Sequence, residues 1–348
     1  MEIAVVAPSP KPFGIGGAEK LVVGLTDAIN RYTKHEADLI KLPTDERSVP
    51  KIVESYYRFW KLNLDHFDMV ISTKYPAWMV QHRNHVCYML HRLRGVYDTY
   101  AGRTDLAGYF TELPTRFPGI YMRKIVHSFD DYALSKSRIK KFYCISKTVA
   151  GRRDYFPKGV EPTVIYPPSS LDHFENNGYE YIFTVSRLDH PKRIDLVIKA
   201  MKYVRPNIKL IIAGTGPQEE YLKDLAKDDR RIEFVGFASD DELIRLYSNA
   251  LVVPYTPSQE DFGLITLEAM MSHKPVVTCN DSGGPTELVK DGENGFVVEP
   301  DPMKIAEKIS YLIEHTSNAR EMGDSAYRHV KDITWENAVK RIVDSNGR

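Results

Sequence analysis

The chain has 348 residues, too many for one ordinary core and about right for two domains of average size. Its composition is that of a soluble globular protein, and no apolar run approaches the roughly 18 to 20 residues that a membrane-crossing helix needs. Cys87, Cys144 and Cys279 are an odd number without C-x-x-C spacing, so neither a disulfide framework nor a zinc site is indicated.

The zero net charge hides an asymmetry: residues 1–165 hold 25 Lys+Arg against 17 Asp+Glu, and the remainder 22 against 30. Much of the excess lies between Arg92 and Arg153, with 13 basic and 5 acidic residues interleaved with Tyr97, Tyr100, Tyr109, Phe110, Phe117, Tyr121 and Phe129. Such a stretch suits either an anionic membrane surface or polyanionic acceptor, or a solvated face with a few structural arginines. No nucleic-acid partner is expected. The chain opens on an apolar strand with no basic leader, so a cytoplasmic location is expected, with the inner face of a membrane as its furthest reach.

In chain order, EIAVVA (2–7) reads as a strand, followed by a proline- and glycine-rich loop and a helix over 18–32. Gly14, Gly16 and Gly17 invite a dinucleotide fingerprint, but G-x-G-x-x-G needs glycine at position 19, which is Glu19. A tight turn is the simpler account of these glycines. Strands follow at 35–42, 68–73 and 85–90, with a helix near 48–62, and the alternation is an α/β signature. HVCYML (85–90) delivers His91 at its C-terminal end, where ligands bind in open parallel sheets. KKFYCISK then reads as a strand and a Ser-initiated helix, and VIYPPSS forms an extended linker, so the first domain closes near Pro168.

The second half opens with YIFTVSRLDHPKR, which sets Arg187 and Lys192 five residues apart at a strand end and a helix start, where the two cations can clamp a pyrophosphate. IKLIIAG (208–214) runs into a second glycine loop at Gly214. RIEFVGF (231–237) is a further strand, and Ser239 with Glu242 makes a capping box. The stretch TPSQEDFGLITLEAM (256–270) follows the apolar strand ALVVPY and places Glu260 in a strand-to-helix loop and Glu268 in the helix. Gly263 stands at that helix start, where backbone N–H groups approach an anion. The tail from Asp301 is two or three amphipathic helices.

The E-x7-E stretch from Glu260 to Glu268, the S-R-L…K pair, the G-G-x-E turn at Gly16 and Gly17 and the His91…Asp98 spacing together resemble the retaining glycosyltransferases of family four. That resemblance spans nearly the whole chain. It implies the GT-B architecture: two facing doubly wound Rossmann-like α/β domains, 1–168 on the acceptor side and 169–330 on the donor side. A terminal helix over 331–348, carrying Trp335, crosses back to the first. It further implies that Glu260 faces the donor sugar and Glu268 the ribose, that Arg187 and Lys192 stabilise the departing diphosphate, and that His91 contacts the sugar or reaction centre. Gly16, Gly17, Gly214, Phe262, Gly263 and Leu264 would line the donor nucleotide and sugar.

No D-x-D sequence occurs, so no metal clamp is expected and the positive charge comes from the protein. No cofactor is expected beyond a nucleotide-diphosphate sugar, with mannose slightly favoured over glucose, and the acceptor is a saccharide or lipid-linked. Two rivals are a nucleotide-sugar epimerase of the same architecture and a non-catalytic nucleotide-binding subunit. The intact Arg187 and Lys192 pair disfavours both.

Overall fold

The computed structural model describes residues 1–10, 16–46, 48–97, 119–152 and 154–343. Gly14, Asp98, and Tyr100, Tyr109, Phe110 and Phe117 of the basic stretch lie outside the described residues, as does the side chain of Tyr121. The chain divides into two compact units, Met1–Ser170 with Ile333–Arg348, and Leu171–Asp332.

The first unit alternates β1 (Glu2–Pro10), α1 (Gly17–Tyr32), β2 (Glu36–Thr44), α2 (Val49–Trp60), β3 (Met69–Ser72), β4 (His85–Met89), α3 (Gly119–Ala133), β5 (Lys141–Cys144), α4 (Lys147–Ala150) and β6 (Thr163–Val164). Its strands form one parallel sheet in the order β2-β1-β3-β4-β5-β6. Strands β3 and β4 are buried throughout, which is why they read as unbroken apolar runs. One expectation needed correction: β1 runs on through Pro8 and Pro10 beside Leu42 and Thr44. Its other neighbour, β3, ends opposite Val6, so the prolines face a side where no ladder bond is demanded. The last helix, α12 (Trp335–Val343), buries Ala338, Val339, Ile342 and Val343 in this same unit. Trp335 lies over Gly24 of α1, where an added Cβ would stand 2.4 Å from the indole, and its Nε1–H donates to the Ser169 carbonyl at 2.9 Å.

The second unit contains β7 (Tyr181–Val185), α5 (Ile194–Met201), β8 (Leu210–Ala213), α6 (Glu219–Ala226), β9 (Ile232–Gly236), α7 (Asp240–Asn249), β10 (Ala250–Pro254), α8 (Leu264–Met271), β11 (Val276–Cys279), α9 (Pro285–Leu288), β12 (Gly295–Val298), α10 (Pro302–Glu314) and α11 (Thr316–Val330). Again the sheet is parallel, in the order β12-β11-β10-β7-β8-β9. The edge strand β12 is absent from the expectations above; it lies within a Gly- and Asp-rich stretch whose turn chemistry masks four residues of strand. The capping box of α7 is formed, with Ser239 N–H donating to Glu242 at 2.7 Å. Because β10 and β7 are adjacent and parallel, whatever follows their C-terminal ends is brought together.

Candidate functional site

Behind β7 the chain turns at Ser186–Leu188 and lies against the loop that follows β8. Leu188 N–H donates to Thr215 and Gln218 N–H donates back to Leu188. Only glycine allows this approach: at Gly214, with φ +114°, an added Cβ would sit 1.9 Å from the Ser186 carbonyl oxygen. Gly214 therefore seats the Arg187 turn, a packing role that the sequence pattern could not separate from ligand contact. Arg187 itself is 61% exposed and rests 3.5 Å from Asp189. The Asp189 carboxyl is pushed up by burial, against the pull of Lys192 and Arg187, and its Oδ1 is buried without a hydrogen-bond partner.

Lys192 ends a 3-10 turn, His190–Lys192, just before α5. Its ammonium is in hydrogen-bonded contact with the Glu260 carboxylate and lies 3.4 Å from the Tyr255 hydroxyl. Tyr255 also donates to Glu260 at 3.1 Å. Burial alone would lower the Lys192 pKa, but Glu260, with help from Tyr255 and Asp189, outweighs it and holds the ammonium well above its ordinary value. The two side chains remain 22% and 21% exposed, so a ligand can reach the pair. Two expected residues, 68 positions apart, are thus brought into contact, and Tyr255 joins them without having been singled out. A tyrosine closing an apolar strand carries little signal of its own.

Glu260 is held from behind by a short parallel bridge to Gly283, in which Glu260 N–H donates to Ser282 and Gly284 N–H donates to Glu260. Gly263 caps α8 at φ +84°, and a side chain there would also strike Pro285 and the Tyr255 ring. Phe262 is 2% exposed, so its ring belongs to the core and only its backbone can face a ligand; Leu264 is half-buried. Glu268 projects from α8 and accepts a hydrogen bond from the buried Tyr247 hydroxyl at 3.0 Å, which orients the carboxylate. At the end of β9, Phe237 is 81% exposed beside Gly236, whose carbonyl accepts a hydrogen bond from Gly214 N–H.

On the first unit, Gly16 is the exposed N-cap of α1 and its N–H is taken by the Glu19 carboxylate at 3.1 Å; Gly17 follows in the first turn. His91 stands two residues beyond β4, half-buried, with Nδ1 2.7 Å from the Arg92 carbonyl. Beneath it lies a polar hub that the residue pattern did not reveal. Asp130, fully buried, accepts from Tyr56 at 2.5 Å, Trp78 at 2.8 Å and Tyr97 at 2.8 Å. Arg92, only 2% exposed, donates to the Tyr97 hydroxyl and the Tyr155 carbonyl and faces Asp130 at 3.8 Å. Arg92 is therefore a structural cation rather than part of a basic surface, and Arg123 and Arg138 likewise bind the Val96, Met79 and Val80 carbonyls. The H-x-x-H spacing of His82 and His85 is spent in the same way: their Nε2 atoms meet the Phe67 carbonyl at 3.0 Å and the Ser72 hydroxyl at 2.8 Å. Among the described residues no helix is long and apolar enough to cross a membrane.

Two parallel six-stranded sheets with flanking helices are the layers of the GT-B fold. Residues 169–329 of this chain match the family model for glycosyl transferases group 1. Among curated proteins it is similar to an uncharacterized glycosyltransferase of Methanocaldococcus jannaschii, 26% identical over 99% of this chain and 97% of that one. It is also similar to the human alpha-1,3/1,6-mannosyltransferase ALG2, 30% identical over 50% of this chain and 49% of ALG2. Among solved structures it resembles sucrose-phosphate synthase from Thermosynechococcus elongatus (TM-score 0.77, 19% identity, 99% of this chain and 98% of that one). It likewise resembles Anabaena HepE in complex with UDP and glucose (TM-score 0.70, 17% identity, 100% and 99%).

Proposed function

We propose that this chain is a retaining hexosyltransferase that moves a hexose, preferentially mannose, from a nucleotide-diphosphate sugar to a saccharide or lipid-linked acceptor. The observation that carries the proposal is the Lys192–Glu260 contact across the ends of β7 and β10, with Arg187 close by. Lys192 and Arg187 take the diphosphate, and the α8 N-terminus at Gly263 adds its dipole, so charge leaving with the nucleotide is met by fixed cations and no metal is required. Glu260, once its lysine turns to phosphate, accepts hydrogen bonds from sugar hydroxyls, and Glu268, oriented by Tyr247, takes the ribose. The exposed Phe237 ring offers the base a stacking face. On the first unit, His91 and the Gly16–Gly17 turn serve the sugar and the acceptor, and exposed basic residues such as Lys124 and Lys140 offer a surface to anionic lipid.

Mannose is favoured because ALG2, named a mannosyltransferase, is similar over half of this chain at 30% identity. Attack then comes from the face the diphosphate leaves, which gives retention without a carboxylate nucleophile. Calorimetry and diphosphate release against GDP-mannose, UDP-glucose and UDP-N-acetylglucosamine, with and without a chelator, test the proposal. Turnover of GDP-mannose that survives chelation, with an α-linked product by NMR, is the expected outcome. Absence of binding to every sugar nucleotide would remove it.

A further inference from the structure

We infer that Arg193, the residue after the proposed phosphate lysine, is the positioning residue that sets Lys192 and Glu260 against each other, an inference that rests on the transferase reading of the site. Three loops meet at its guanidinium. Nε–H donates to the Thr256 carbonyl at 2.8 Å, one terminal nitrogen donates to the Pro257 carbonyl and Asp281 at 2.6 Å each, and the other donates to Asp281 at 2.7 Å. Thr256 and Pro257 lead directly to Glu260, and Asp281 opens the loop whose Ser282–Gly284 backbone grips Glu260 from behind. Backbone bonds reinforce the same junction, since Ser258 N–H donates to Pro191 and Gln259 N–H to the Asp281 carbonyl.

The main chain of Arg193 adds the second half of the argument. It is left-handed, with φ 49° and ψ 40°, a conformation that costs a non-glycine residue roughly 1–2 kcal/mol and that glycine or asparagine would adopt more easily. That turn ends the Lys192 segment and starts α5, so it aims the lysine, while the side chain of the same residue fixes the loop of its carboxylate partner. A lysine could not replace it, because one ammonium cannot serve a bidentate carboxylate and two carbonyls at once. The fork is 17% exposed and lies outside the Lys192–Tyr255–Glu260 cluster, which makes it a positioning group rather than one that touches substrate.

Arg193→Gly is the decisive variant, because glycine keeps the left-handed turn while deleting the fork. Expected is a fall in kcat of roughly 100-fold per folded site, with KM for the donor shifting only a few-fold, as for a misplacement near 1 Å. Arg193→Lys, which keeps the charge, should recover only part of the rate. A second readout needs no turnover: the Nζ proton signal of 15N-labelled Lys192, protected in the wild type by Glu260, should vanish in Arg193→Gly. If Arg193→Gly does not fold, Asp281→Asn, which leaves both carbonyl bonds, should lower kcat roughly 10-fold in the same direction. A variant with lower melting temperature but unchanged kcat, KM and Lys192 signal would overturn the inference. A wild type that turns over no sugar nucleotide, with the Lys192 signal still lost in the variant, would remove the transferase function and leave the positioning role standing.

Discussion

Replacing Glu260 by glutamine keeps its size and its acceptor oxygen and removes only the charge. The wild-type pair is about four-fifths buried, with 22% and 21% of the two side chains exposed, and Tyr255 donates to the same carboxylate oxygen. Breaking a fully buried pair costs about 3–5 kcal/mol and an exposed one about 0–1, so about 2 kcal/mol is expected for this intermediate case. In a unit of this size that lowers the melting temperature by roughly 4–8 °C. The two ligand effects have opposite signs. A carboxylate about 6 Å from a bound phosphate, at an effective dielectric near 20, repels it by about 3 kcal/mol before screening, and about half of that is felt in a site open to water. Glu260→Gln should therefore bind free nucleoside diphosphate roughly 10-fold tighter, because Lys192 is released from its competitor. Sugar transfer should fall by roughly 10- to 100-fold, for the loss of a charge-assisted hydrogen bond to a hydroxyl. Calorimetry with GDP and UDP, beside diphosphate release from the matching sugar nucleotide, measures both. Weaker or unchanged diphosphate binding together with unimpaired transfer would refute the exchange of Lys192 from Glu260 to phosphate.

Arg187→Ala should leave the melting temperature within a degree or two, since the side chain is 61% exposed and its bond to Asp189 is long, while diphosphate affinity falls by roughly 10- to 100-fold on loss of a charged donor. Gly214→Ala should do the reverse, destabilising the second unit by more than about 2 kcal/mol in a denaturant titration, because the new methyl would meet the Ser186 carbonyl at 1.9 Å. His85 gives a pH signature. Burial lowers its pKa from the ordinary 6.5 to about 3, so the ring is neutral in both folded and unfolded chains above pH 6.5. Between pH 6.5 and 3 only the unfolded chain takes the proton, and stability is lost as pH falls, by at most about 5 kcal/mol from this group. His85→Gln should flatten that part of the stability curve, and an unaltered slope would mean that the histidine is not the group responsible.

The fold was largely legible because the buried parallel strands are short, mostly apolar runs, and because capping at Ser239 and Ser146 follows from short-range spacing. Arg187, Lys192 and Glu260 of the proposed donor cluster stood out because they follow the ends of β7 and β10, and adjacent parallel strands deliver their ends to one edge. What escaped were the partners that only a three-dimensional neighbour supplies. Arg193, Tyr255 and Asp281 come from three different loops, and the sequence could not tell whether Arg92 was surface or structural because nothing near it in the chain announces Asp130, 38 positions on and fully buried. Charge pattern records how many cations a segment carries, and burial decides which of them are spent inside. The same distinction separates Arg187 from Arg193: six residues apart and identical in chemistry, one is left in solvent at a strand end where an anion can reach it. The other is committed through four hydrogen bonds to the loops that hold Glu260, and its substitution should therefore disturb catalysis through geometry rather than through lost charge.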